Sequence, residues 1–108
     1  MAAAARVTDT IQGGVWCPCG LSTCWYDVTG NEAQGSPNVF INGNAVIRVG
    51  DGGNDSAPCG RTWFTNIQGS HTVFANGQPV VRQGDPVNIH VDNDGQVVSG
   101  SPNVFVGG

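Results

Sequence analysis

The sequence predicts a small all-β protein of short β-hairpins arranged with pseudo-threefold symmetry. Three observations predict it. Gly (17 of 108 residues), Pro and Asn punctuate every stretch, while Val, Ile and Phe supply enough apolar character for a core. Asn-Gly stands between apolar runs in "VFINGNAV" and "VFANGQPV", the strongest short-range hairpin signal. Finally, "GSPNVFINGNAVIRVGD" from Gly35 recurs 34 residues later as "GSHTVFANGQPVVRQGD" from Gly69.

The chain opens on "AAAARVTD", which matches the back halves "NAVIRVGD" and "QPVVRQGD" of those two units. Arg6, Arg48 and Arg82 fall in register, and Asp9, Asp51 and Asp85 follow at the same distance. At the other end, "GSPNVFVGG" from Gly100 holds only a front half. The two termini are therefore expected to pair and complete a third unit. Such closure leaves no open sheet edge to aggregate. A linear solenoid would not split one repeat across both ends. All 108 residues then belong to one domain.

Between the units lie three unlike connections, 10–34, 52–68 and 86–99, expected as loops that carry any chemistry. Cys59 and His90 each stand ten residues before the Gly of the next unit, and Cys24 stands eleven before. In a threefold object these positions converge at one end. Tetrahedral zinc requires a fourth ligand, and "CPCG" offers Cys19 or Cys17. Iron is the other metal that this set accepts. The Cys17/Cys19 spacing is not a CxxC knuckle, and a Cys17–Cys24 or Cys19–Cys24 disulfide is the competing arrangement.

Other candidates have plainer explanations. His71 stands where Pro37 and Pro102 stand in the other units, which marks a strand start more than a metal ligand. Ser70 and His71 are neighbours on opposite faces of a strand and cannot work as nucleophile and base. Each repeating Arg/Asp pair reads as a local ion pair at a turn, worth little if exposed. Asp92 and Asp94 lie in "VDNDG", a fragment of a calcium loop without the remainder. Trp16, Trp25 and Trp63 are expected to pack around the connections.

A net charge of −4 with only four Lys plus Arg disfavours nucleic acid and anionic lipid as partners. No apolar run approaches a membrane span, and "MAAAARVTDT" lacks the basic and hydrophobic regions of a signal peptide. A cytoplasmic site of synthesis is the expectation.

The tripled motif with its split third copy resembles the proline-alanine-alanine-arginine (PAAR) repeat family over nearly the whole chain. The namesake tetrapeptide has drifted to Ala4-Ala5-Arg6, Ala45-Val46-Ile47-Arg48 and Pro79-Val80-Val81-Arg82. The resemblance implies a tip protein that caps the trimeric β-helical spike of a contractile injection machine, such as a type VI secretion system, a phage tail or an extracellular particle. It implies one copy per trimer, zinc at the apex, and delivery outside the producing cell. Carried over, the ligands are Cys59, His90, Cys24 and either Cys19 or Cys17. Members of that family sometimes carry toxin extensions, so any effector cargo of this chain is expected to attach without a covalent link; the resemblance also implies contact with a target envelope during piercing. No catalysis is expected. A small secreted carbohydrate-binding module stapled by disulfides is the alternative, supported by the Trp-bearing connections.

Overall fold

The computed structural model describes residues 1–58, 62–90 and 94–107. Among the described residues there are twelve strands and no helix. The strands form two layers. The repeat units supply three two-stranded hairpins, and the connections supply a closed six-stranded barrel.

In the first layer, β4 (Phe40–Ile41) pairs with β5 (Asn44–Ala45), and β8 (Phe74–Ala75) pairs with β9 (Gln78–Pro79). Asn42 and Gly43 have φ of 54° and 79°, and Asn76 and Gly77 have 55° and 79°. These positive angles are what a type I′ turn demands, and Asn-Gly tolerates them. The third hairpin joins the termini. β1 (Ala2–Ala3) pairs with β12 (Phe105–Val106), so Ala3 faces Phe105 as Ala45 faces Phe40 and Pro79 faces Phe74.

Bridges Ala4–Arg82, Arg6–Val46 and Arg48–Val80 link each hairpin to the next. Inside them runs a cycle of backbone hydrogen bonds. The Ala5 N–H donates to Val81 O (2.9 Å), Val81 N–H to Ile47 O (2.9 Å), and Ile47 N–H to Ala5 O (3.0 Å). Each of these residues is fully buried. Water does not reach groups at this depth, so each must find a protein partner. The cycle satisfies all six polar groups involved only when the three units are present together.

Glycine opens each unit for a stated reason. A Cβ on Gly35 or Gly69 would lie 2.7 or 2.6 Å from the carbonyl oxygen of Val46 or Val80. Those carbonyls accept the N–H groups of Ser36 and Ser70, both at 2.8 Å. The turn therefore closes only against a bare Cα.

The Arg/Asp pairs are more than exposed ion pairs. Asp9, Asp51 and Asp85 are buried, and each accepts from its Arg Nε and Nη2 at 2.9–3.1 Å. Each carboxylate also accepts the backbone N–H of the same Arg. This bidentate geometry is stronger than a neutral hydrogen bond and pins the chain as it leaves the hairpin layer. Gly50 and Gly84 turn there with φ of 96° and 94°. Thr8 holds the equivalent place at φ 84°, a left-handed conformation that costs a β-branched residue roughly 1–2 kcal/mol.

The three connections are paired strands, where the sequence reading expected loops. β2 (Thr10–Cys19) pairs with β3 (Ser22–Glu32), β6 (Gly52–Asp55) with β7 (Trp63–Asn66), and β10 (Pro86–Asn88) with β11 (Gly95–Val97). The barrel closes through β11–β2, β3–β6 and β7–β10. Ile11, Val28, Phe64, Val87 and Val97 fill it. Ala4, Val46, Ala75, Val80 and Val106 form a second cluster among the hairpins. β2 and β3 continue beyond the barrel, and the molecule measures 46 × 24 × 23 Å.

Candidate functional site

The β2–β3 extension carries three of the four cysteines. Cys17 faces Cys24 across the ladder, and Cys19 faces Ser22. Alternation along a strand puts Cys17 and Cys19 on one face, with Cys24 beside them. The structure joins Cys19 to Cys24 in a disulfide, with their Cα atoms 5.8 Å apart. This is one of the two disulfides that compete with metal binding in the sequence. Cys17 is also disulfide-bonded.

Cys17 is buried in the same cluster as Val15, Ala57 and Ile89. The second and third connections thus reach the base of the extension. Ala57 and Ile89 bring there the segments that lead to Cys59 and His90. Cys59 itself lies outside the described residues, as does Asp92. His90 is exposed. Its backbone N–H and that of Ile89 both donate to the Asp94 carboxylate, each at 2.6 Å. Asp94 therefore anchors the backbone at Ile89 and His90.

His71 lies in the hairpin layer, outside the cysteine cluster. It is exposed beside Ser70, whose hydroxyl donates to Gly107 O and accepts the N–H of Thr72 and Val73. Ser70 is occupied in holding its turn and is not arranged with a base.

A cysteine binds zinc only as the thiolate. Cys17, Cys19 and Cys24 are all oxidised in the structure, so their sulfurs do not fit a metal in this state. Among the described residues, no group of three or more His, Cys, Asp or Glu side chains is placed to hold an ion. The ligand set requires the reduced chain.

Trp16, Trp25 and Trp63 sit on strands and remain partly or largely exposed, contrary to the packing expected for them. Trp16 and Trp25 meet edge to face with centroids 5.4 Å apart. The Trp25 ring lies over Gly14, where a Cβ would collide with it, and its indole N–H donates to Asp27 at 3.2 Å.

Two features escaped the sequence reading. Phe40, Phe74 and Phe105 form an exposed ring on the hairpin layer, and the signal was the "VF" in every unit. The other is a buried polar pair. Glu32, Asn66 and Val97 each stand three residues before a unit's Gly, and each donates its N–H to Asp9, Asp51 or Asp85 O. The count that singled out Cys59 and His90 also finds this level. Asn66 Nδ2 donates to Glu32 Oε1 at 2.8 Å and to Asp51 O at 2.8 Å. Glu32 Oε2 and Asn66 Oδ1 are buried without a partner.

Comparison with protein-family models and with curated protein sequences gave no match.

Burial pushes the Glu32 carboxyl up to about 8, with Asp51 and Asp9 adding to the rise and the Asn66 hydrogen bond opposing it. The folded chain thus holds a proton that the unfolded chain releases near 4.5. Stability from this group is complete below that pH and falls as pH rises toward 8. Glu32→Gln should flatten that decline, and at pH 8 should exceed the parent by on the order of a few kcal/mol. Urea melts at pH 5 and pH 8 read the difference. Equal pH slopes for parent and variant would assign the dependence elsewhere.

Proposed function

We propose that this chain is a spike-tip protein of the PAAR-repeat type, a conical cap seated on the trimeric spike of a contractile injection machine. The observation that carries the reading is the ring of three hairpins from one chain. It presents Phe40, Phe74 and Phe105, exposed by 58, 56 and 51 %, at equivalent positions. Exposed apolar groups repeated in this way suit a partner with threefold symmetry. A single chain then makes three similar contacts with three identical subunits. The elongated body carries the β2–β3 extension as its leading end, and this mechanical role requires no catalysis.

The expected stoichiometry is one copy per spike trimer. Native mass spectrometry of the chain mixed with its trimeric spike measures it, and Phe40→Asp with Phe74→Asp should weaken the complex at least roughly tenfold. Three copies per trimer, or undiminished binding by the variant, would defeat the symmetric seat.

For the reduced chain we propose zinc, or iron, held by Cys59, His90, Cys24 and either Cys19 or Cys17. Either cross-link serves one purpose. A narrow apex has little apolar burial of its own, and a structural metal or a disulfide supplies the missing stability. Chain prepared under reducing conditions should retain about one metal per molecule by elemental analysis. Cys24→Ser and His90→Ala should lower that content far more than His71→Ala. Metal-free reduced chain that melts no lower on chelation would remove the metal from the account.

The oxidised Cys19–Cys24 pair and the exposed Trp16 and Trp25 favour a second reading, a disulfide-stapled carbohydrate-binding module. The Phe ring distinguishes the two, since sugar binding by the tryptophans makes no use of it.

A further inference from the structure

The far end of the β2–β3 extension combines features that the hairpin ring does not explain. From Thr10 to Tyr26 there is no Asp, Glu, Lys, Arg or His, in a chain of net charge −4. Leu21 at the turn is fully exposed, and Trp16 and Trp25 are 61 and 52 % exposed. An uncovered apolar tip of this kind is unfavourable in water.

The three side chains occupy two levels. Trp16 and Trp25 face each other across the ladder. Leu21 lies four or five residues further on, roughly 13 Å at the rise of a strand. Trp25 directs its indole N–H back toward Asp27, and Gly20, with φ 67°, makes the turn. The Cys19–Cys24 disulfide fixes the last rungs, so this tip is ordered before it meets anything.

We propose that the tip of the β2–β3 extension, with Trp16, Leu21 and Trp25, docks into the interfacial zone of a zwitterionic lipid bilayer. Tryptophan favours the headgroup level, where its ring is shielded and its N–H stays near polar partners. Leu21 then enters just below. A two-stranded ribbon directs alternate N–H and C=O groups outward from its ladder, and such groups do not enter dry hydrocarbon. Insertion therefore stops at the interface. With no basic residue between Thr10 and Tyr26 and an acidic chain overall, anionic headgroups repel the extension. This inference stands on the chemistry of the tip and holds whether or not a spike binds the hairpin ring.

Flotation of the full chain with unilamellar phosphatidylcholine vesicles tests it, together with tryptophan emission. The parent and a Trp63→Phe variant should float and shift their emission to the blue. Leu21→Asp, at a side chain that touches no core, should melt like the parent and lose roughly tenfold in partition. Trp16→Ser with Trp25→Ser should lose both flotation and the blue shift. Replacing half the lipid with phosphatidylglycerol should weaken binding, and added salt should restore it. Equal flotation of Leu21→Asp and parent would overturn the proposal. So would binding to protein-bearing envelope vesicles or to polysaccharide alone, without binding to pure phosphatidylcholine.

Discussion

Three backbone hydrogen bonds, passed in a circle among Ala5, Ile47 and Val81, are the constraint on which the rest of this structure depends. Each belongs to a different unit, and each unit both gives and receives one. Removing any unit leaves a buried donor and a buried acceptor unpaired, at a cost of about 1–3 kcal/mol for each group. Those bonds fix the three Arg/Asp turns just beyond them, and the turns aim six strands into one barrel. The hairpin ring and the leading extension are thus two ends of one cooperative unit.

Opening a threefold ring into a linear chain leaves a scar, and the polar groups record how it is repaired. Ser36 and Ser101 donate to the side chains of Asn76 and Asn42, and Arg48 and Arg6 donate to the same oxygens. At the break there is no turn Asn. The carbonyl of Gly107 accepts from Ser70 and Arg82 instead. Thr72 replaces the Asn found at positions 38 and 103, where an Asn oxygen would have no amide donor to accept from. One position stays imperfect, since Thr8 takes a conformation that its equivalents assign to Gly50 and Gly84.

Much of this was legible beforehand. The repeat, its split third copy and the Asn-Gly turns follow from local rules that a single chain displays openly. The first connection, "IQGGVWCPCG", lacks a clean alternation of apolar and polar residues, whereas "VNIHVD" in the third alternates and already carries a strand signal. Their pairing is set by a barrel that only closure of the ring creates. Counting back from each unit puts Cys24, Cys59 and His90 at one level of the chain, but the oxidation state of sulfur is not legible this way, because the same residues suit a metal or a disulfide. Glu32 was missed because a lone carboxylate reads as surface, and only the hairpin ring above it makes that position an interior one.

Hydrogen exchange at the amides of Ala5, Ile47 and Val81, followed by NMR on the intact chain, reads whether the ring is closed. All three should exchange together at the slowest rates in the protein, through global unfolding alone. An Ala5 amide that exchanges orders of magnitude faster than its two equivalents would contradict closure. The termini would then be laid against two units without completing a third.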